Sequence, residues 1–501
     1  MSSIPRALVI GALGSTLQAV TTMLILLIVY RVAFTTLGVE RIGVWSLLVA
    51  SFVAIRMGEF GIATAITPRV ARSIGLGITT EAARIIETGV VFVATVTFAL
   101  GVVNYLVVTA LMPGMLDDHM AQEVGTVLPW LVGATWFATI ASVAHGALDG
   151  CKLAHVRSIV GIVSSVVYGI TAVLSVPIYG LLGLAVASAL QAVLSFVLAQ
   201  EVLRRTLKTY RHIPRHLDIK LIRGLIRSGS WLAVAQVTNL LWAPLVRILL
   251  AKFGGYTAVG FFEMATQVVE KMRGILMAAN QVVTPFMADA AVRDQKLARS
   301  LYVNSVRGVW FISFPMFGSL AVLAHAVSMI WIGYEETIFV ICLNVMVAGW
   351  LANTLAAPSY FALISRDRAQ WLLGGAILTL GATAALGYYA GAALGWVGVV
   401  SGTAVGLAIG SLVFPIAYHS LEELSIRHTL TRHDFGVGLA TVGGIVAAHF
   451  IWSTAGEALD PFVRELLVIA TFGGMVLIPL WRNPTRGQLA SRMATMFFAR
   501  P

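Results

Sequence analysis

Residues 36–72 read TLGVERIGVWSLLVASFVAIRMGEFGIATAITPRVAR. The stretch is expected to form one long apolar helix carrying two charges, Arg56 and Glu59, where a membrane span ordinarily has none. Residues three apart share a helix face, so the two side chains project together, into a protein interior and away from lipid. A charge at the centre of a span costs about 2.5–3.5 kcal/mol on insertion scales, so residues held there point to function. Counted from Ile42, Arg56 lies roughly 21 Å along the helix at about 1.5 Å per residue. That is well inside a hydrocarbon core of about 30 Å.

The same pattern returns later in the chain. At an offset of 217, Gly43 falls on Gly260, Arg56 on Arg273 and Thr67-Pro68 on Thr284-Pro285. At 216, Arg31 falls on Arg247 and Gly38 on Gly254. A third anchor, GLLGLAVASA from Gly180 against GWVGVVSGTA from Gly395, has an offset of 215. Offsets this close, with charges and prolines in register, describe a duplicated unit.

Composition fixes the class. The chain is 58% hydrophobic and 11% charged with a mean hydropathy of +0.88, whereas about a quarter of a soluble domain is charged. No stretch is polar enough to be a soluble domain, so the chain reads as an all-α polytopic membrane protein. The net charge of +11 raises the question of nucleic acid; its placement in alternate loops answers that no nucleic acid is expected. Cys151 is expected at a helix end and Cys342 inside a span, so no disulfide is expected. His212 and His216 have metal-like spacing, but Pro214 interrupts them within a basic loop, and neither metal nor cofactor is expected. The first apolar run continues to Phe34 without a small-residue cleavage site, which reads as a retained helix.

Fourteen spans are expected: 10–34, 42–66, 85–111, 125–148, 157–176, 180–203, 229–252, 258–287, 305–331, 337–363, 370–390, 396–418, 436–455 and 463–481. Alternate loops then hold nearly all the Lys and Arg, from Arg6 through Arg69, Arg72 and Arg84 to the run between Arg204 and Arg227 and the C-terminal tail. The opposite loops hold Arg41, Lys252 and Arg464 together with acids such as Asp117, Asp118, Glu335, Glu336 and Glu457. The positive-inside rule places both termini in the cytoplasm. The expected organisation is a six-helix lobe (1–203), a basic cytoplasmic linker (204–228) that also meets anionic lipid, a second six-helix lobe (229–420), and two further helices with a basic tail (421–501). Six spans per half return the chain to the same side, so the halves are parallel repeats with a substrate site between them. Glycines four apart, at 387, 391 and 395 and at 402, 406 and 410, suit close helix packing; Pro244, Pro315 and Pro358 are expected kinks.

The positive residues within spans are Arg31, Arg56, Arg247, Lys271 and Arg273, and the acids counted there are Glu59, Glu263 and Glu270. They lie on spans 1, 2, 7 and 8, the equivalent pairs of the two repeats. In span 8, Glu263, Gln267, Glu270 and Gly274 follow helical spacing, with Asn280 and Gln281 extending the polar side. Two tiers emerge, Arg31 and Arg247 outward and Arg56 and Arg273 inward. Arg31 equally reads as an interface anchor that snorkels, Glu263 as a rim residue, and the Arg56–Glu59 and Glu270–Arg273 pairs as packing salt bridges. Matched arginines inside a membrane suit a crossing anion, because the guanidinium fork binds phosphate and keeps its charge.

LGVERIGVWSLLVAS followed by MGEFGIATAITPRVAR resembles the second-span signature of bacterial polysaccharide flippases, the Wzx-type O-antigen and exopolysaccharide exporters of the multidrug/oligosaccharidyl-lipid/polysaccharide (MOP) superfamily. The Gly180 and Gly395 elements are similar to that family's span-6 and span-12 pattern. The resemblance implies a two-lobed bundle in the cytoplasmic (inner) membrane that moves a polyprenyl-pyrophosphate-linked oligosaccharide to the outer leaflet, driven by a proton or sodium gradient. It implies membrane lipids, a polysaccharide polymerase and chain-length machinery as partners. In the related lipid II flippases, cavity arginines on spans 1, 2 and 8 matter for activity; by span, Arg56 and Arg273 are the counterparts, with Arg31 a further candidate. Arg247 and Lys271 complete the substrate-binding set, and Glu59, Glu270 and Glu263 are the candidate carriers of a coupled ion.

A drug/cation antiporter of the same superfamily is the alternative; its cavity should be acidic and aromatic, against the net positive interior here. A membrane polymerase or ligase would need a sizeable external loop, which the span reading lacks. The topology is directly testable. A cytoplasm-reporting fusion at residue 228 or at the C-terminus should be active and one at Glu336 inactive; activity at Glu336 would invert the orientation.

Overall fold

A computed structural model describes residues 6–487 apart from 60–61, 112–117, 211–217, 220, 223–229, 294, 367, 426–428 and 456–459. His212, His216, Asp117, Glu457 and most of the linker and tail lie outside the described residues, as do the side chains of Asn280 and Gln281. Lipid offers the backbone no hydrogen-bond partner, so apolar runs of this length satisfy themselves as helices. Twelve helices of the described residues are long and apolar enough to cross a membrane. The protein is a multi-pass, all-α membrane protein. The chain divides into two compact units, Met1–Glu263 and Met264–Pro501.

Unit one begins with α1 (Arg6–Leu37), α2 (Val39–Ser51), α3 (Val53–Met57) and α4 (Ile62–Gly75). The expected single helix over 36–72 is therefore broken, after Ser51 and again after Met57. Through the break the backbone tightens to three-residue bonds: Ile55 N–H to Phe52 O at 3.1 Å, Gly58 to Ile55 at 3.0 Å and Ile62 to Glu59 at 2.9 Å. Hydropathy hides such a break, because Phe52 and Ile55 remain buried on either side of it, while Gly58 contributes weak helix propensity. α5 (Thr79–Leu111), α6 (Asp118–Gly150), α7 (Ala154–Tyr179) and α8 (Leu181–Thr206) complete the unit up to the linker. A core of Ile62, Ile66, Ile86, Val143, Leu148 and Leu203 also takes in Leu207 and Tyr210 of the linker's first residues.

The helix α9 (Ser230–Arg293) contains expected spans 7 and 8 end to end and turns at Gly255, whose φ is 71°. It carries Pro244 without interruption. Unit two continues with α10 (Gln295–Val322), α11 (Ala324–Trp331), α12 (Thr337–Leu355), α13 (Ala357–Ser365), α14 (Ala369–Leu394) and α15 (Trp396–Leu421). Pro315 lies inside α10, whereas Pro358 stands in the first turn of α13, beyond a break at Ala356. The glycine spacing of α15 does what its period implies. A methyl group on Gly402 would come within 2.6 Å of the Gly387 backbone, and one on Gly406 within 2.6 Å of the Thr383 backbone. α14 and α15 therefore meet backbone to backbone.

The last two helices, α16 (Arg432–Ala455) and α17 (Pro461–Arg482), are fastened to α10 and its neighbours. Val322, Ala448, Val468, Phe472 and Val476 form one apolar cluster. At one end Arg307 donates to Thr429 O at 2.9 Å, and Asn483 donates to the buried Asp434 at 3.0 Å. At the other, Trp452 stacks on His325 at 3.9 Å and under the Arg464 guanidinium at 3.6 Å.

Local structure repeats with the sequence offsets. Gly180 and Gly395 adopt the same left-handed conformation, with φ 61° and 64° and ψ −134° and −145°. Gly183 and Gly398, three residues on, approach equivalent backbone, at Ser175 and at Ala390. Gly38 (φ 82°) is matched in conformation by Gly255 (φ 71°) and not by Gly254, so 217 is the operative offset there. Two of the segments related by this offset also touch. A methyl group on Gly43 would sit 2.0 Å from Tyr256 O, and one on Gly260 2.4 Å from Val39 O. Since Val39 and Tyr256 are also 217 apart, the contact is reciprocal, as across a two-fold axis. Gly43→Ala and Gly260→Ala should each cost about 1–3 kcal/mol by overpacking and lower the Tm of the purified protein. Gly474→Ala, where nothing lies within 4 Å, should not; equal Tm values for all three would refute the crossing.

Candidate functional site

Just inside the Gly43–Gly260 contact, four side chains converge within unit one. The turn at Gly255 folds α9 so that Arg247 meets Glu263. Arg247 Nε and Nη2 donate to one carboxylate oxygen of Glu263 at 3.0 and 2.6 Å. Ser46 Oγ donates to the same oxygen at 2.8 Å, and the Tyr30 hydroxyl donates to the other at 3.5 Å. Glu263 is 5% exposed, so it is interior and not a rim residue. A buried carboxylate with this many donors is electrostatically satisfied. Arg247 is engaged with a protein partner. Ser46 and Glu263 are 217 residues apart, equivalent positions of the repeat that meet each other.

Arg273, in unit two, is held differently. Its Nε donates to Asn353 Oδ1 at 2.9 Å, and Asn353 Nδ2 donates to Ser411 Oγ at 2.7 Å. Its guanidinium lies 4.7 Å from the centre of the Trp350 ring. Glu270, one turn earlier on α9, attracts it electrostatically, and the Tyr360 ring stands near. Among the described residues, no side chain accepts a hydrogen bond from its terminal amino groups. The guanidinium is thus aimed through Nε and one face, leaving the edge that binds a planar anion for another partner.

The remaining candidates are dispersed. Arg56 is exposed on the short helix α3, and the charge acting on it from nearby is Glu59. The two form no ion pair within 4 Å among the described residues, and the Ser142 hydroxyl of α6 donates to Thr139 O at 2.7 Å. Arg31 is exposed on α1, and Lys271 is half-buried. Lys271 is two residues from Arg273 and so on another face of α9. Five of the eight candidates belong to unit one (Arg31, Arg56, Glu59, Arg247, Glu263) and three to unit two (Glu270, Lys271, Arg273).

Tyr30, Ser46, Trp350, Asn353 and Ser411 escaped sequence reasoning. Ser46 was within reach, since the offset that pairs Gly43 with Gly260 places it on Glu263. Asn353 and Ser411 carry no such signal, being isolated polar residues in apolar runs. Glu87 is a further buried acid beyond the acids counted from the sequence; it acts electrostatically on Tyr210, whose hydroxyl bonds to Gln200.

The family model described as polysaccharide biosynthesis protein matches residues 78–336, just over half of the chain. No curated protein matches. Among solved structures, a multidrug resistance MATE family transporter of the MOP superfamily, in an inward-facing conformation, is similar at a TM-score of 0.72 and 14% identity, over 80% of this chain and 94% of that one. The lipid II flippase MurJ, in an inward closed conformation, is similar at 0.71 and 12% identity, over 94% and 98%. A variant of the Vibrio cholerae MATE transporter VcmN is similar at 0.62 and 15%, over 84% and 97%. At these identities the structures speak for the fold alone.

The Arg247–Glu263 pair makes a quantitative prediction. Arg247→Met strands a buried carboxylate and should destabilise the purified protein by about 3–5 kcal/mol, whereas the double variant with Glu263→Met should recover most of that. Denaturation in detergent measures both. A double variant no more stable than the single one would show that the carboxylate is not held by the pair.

Proposed function

The chain belongs to the polysaccharide biosynthesis protein family and has the fold of MOP-superfamily transporters, and from that premise we propose that it flips a polyprenyl-pyrophosphate-linked oligosaccharide from the inner to the outer leaflet of the bacterial cytoplasmic membrane by alternating access. The product serves cell-surface polysaccharide synthesis, with a polymerase and chain-length machinery downstream. On this reading the bent helix α9 counts as two spans and the broken α2–α4 as one. The chain then has fourteen spans in two six-span repeats, residues 1–203 and 229–420, with residues 421–501 appended and both termini cytoplasmic.

The observation that carries the proposal is Arg273. A part-buried guanidinium in an apolar helix, aimed by Asn353 and Trp350 with its terminal amino groups uncommitted among the described residues, is suited to a pyrophosphate. Arg56 is the equivalent position of the other repeat and is exposed, so it is the second phosphate contact. Arg247 keeps its charge beside Glu263 and shapes the protein around that pair. Transport needs no covalent chemistry, and the driving force is an ion gradient.

The test is leaflet accessibility of lipid-linked oligosaccharide in spheroplasts, read with an impermeant hydrolase. Deletion should collapse the outer-leaflet fraction while total lipid-linked sugar rises. Charge-assisted hydrogen bonds contribute about 1.5–3 kcal/mol, so Arg273→Ala should slow flipping by roughly 10–100-fold, Arg273→Lys less, and Arg56→Ala with Arg273→Ala should abolish it. Full activity of the double variant would remove both residues from the substrate site. An unchanged fraction on deletion, with new drug sensitivity, would instead favour the antiporter reading.

A further inference from the structure

Arg247 and Arg273 lie on one helix, α9, yet one meets an acid and the other an amide. The amide belongs to a chain of three hydrogen bonds that runs from α9 through α12 to α15. Arg273 Nε can only donate, so Asn353 must turn Oδ1 toward it, at 2.9 Å. The amide NH2 then faces Ser411 and donates to Oγ at 2.7 Å. The Ser411 hydroxyl hydrogen is directed to Leu407 O at 2.7 Å, which leaves the hydroxyl oxygen to accept. Each donor has one acceptor, and the order cannot be reversed while a guanidinium stands at one end. Ser411 is buried. The approach of α12 to α15 is enforced by Gly349, where a methyl group would come within 2.9 Å of Ala404 Cα. Gly349 and Asn353 are four residues apart and share a helix face.

A hydrogen bond between α12 and α15 is ordinary glue between membrane helices, and the amide N–H on Ser411 provides it. Packing gives no reason for the other end of the same amide to meet a guanidinium. An aspartate at 353 would offer Arg273 Nε the same acceptor from a side chain of the same shape. It would also bring a negative charge, and Arg273 would then be matched as Arg247 is by Glu263. Glu270 attracts Arg273 electrostatically; the amide adds no charge to that.

We propose that Asn353 makes the Arg273 site selective for a phosphate-bearing anion, and that Ser411 is the positioning residue that holds its amide in the working sense. This deepens the reading of Arg273 given above and rests on it. A neutral acceptor orients the guanidinium without neutralising it, so the terminal amino groups remain for the oxygens of a pyrophosphate. An acidic acceptor would orient it equally well and cancel its charge, leaving a site indifferent to anions. Ser411 matters because an amide whose NH2 has lost its partner is free to turn, and a turned amide presents donors to a donor.

The probe is inorganic pyrophosphate, titrated calorimetrically into the purified full-length protein in lipid nanodiscs, with the Tm of each variant recorded. Wild type should bind it, and Arg273→Ala should weaken binding about tenfold or more. Asn353→Asp should weaken it to the same degree while keeping or raising the wild-type Tm, since Ser411 can turn its hydroxyl to the new carboxylate. A merely structural residue would not move stability and affinity apart in this way. Ser411→Ala should lower affinity about threefold and leave the residual binding of Arg273→Ala unchanged. That coupling decides the matter where Asn353→Asp does not fold. Wild-type affinity in Asn353→Asp or in Ser411→Ala, beside a loss in Arg273→Ala, overturns the proposal and leaves the arginine's role standing. Equal binding by wild type and Arg273→Ala removes the anion site itself, and the proposal with it.

Discussion

The glycines Gly43 and Gly260 each leave room for the other helix's carbonyl oxygen, and the arrangement of unit one at its crossing follows from that contact. Helices in lipid have no hydrophobic force to press them together; they associate where backbones can approach and where polar groups find partners. The crossing supplies the first condition and sets up the second. With α2 and α9 in backbone contact, Ser46 reaches Glu263, and the turn at Gly255 brings Arg247 to the same carboxylate. A larger residue at either glycine would separate the helices and leave Glu263 without one of its donors.

The same economy distinguishes the two arginines of α9. Arg247 has its Nε and an Nη directed at a buried acid, whereas Arg273 is oriented by a neutral amide and an aromatic face. Both count as interior positive charge in the sequence. A guanidinium already matched by a carboxylate presents little net charge to a passing anion. One steered by Asn353 and Trp350, with Glu270 acting on it only from a distance, presents more of it.

Much of the fold was legible in the sequence because long apolar runs and their loop charges dominate the composition. The offsets that pair Gly38 with Gly255 and Gly180 with Gly395 in backbone conformation were close to legible as well, since glycines hold register where surrounding residues drift. What remained hidden has definite causes. The break between Ser51 and Ile62 lies within an apolar run, so hydropathy passes through it unaltered. Arg247 and Glu263 are 16 residues apart, too far for helical spacing, and meet only because Gly255 turns the chain. Glu59 was read against Arg56 from their spacing, but the backbone tightens to three-residue bonds there and the two side chains form no ion pair within 4 Å among the described residues. The partners of Arg273 come from α12 and α15, which no local pattern links to α9.

The meeting of Ser46 with Glu263 also bears on how such a chain could have arisen. A residue on a two-fold axis faces its own copy. Had an unfused ancestor, assembled as a pair of identical chains, carried glutamate there, two carboxylates would have stood against each other in a dry interface. Serine facing serine would have been tolerated, at the cost of losing the acid that receives Arg247. Joining the copies in one polypeptide removes the obligation to be identical, so that one copy can acquire the acid while the other keeps a hydroxyl to meet it. The asymmetry at this one position is open to a fused gene and closed to a homodimer.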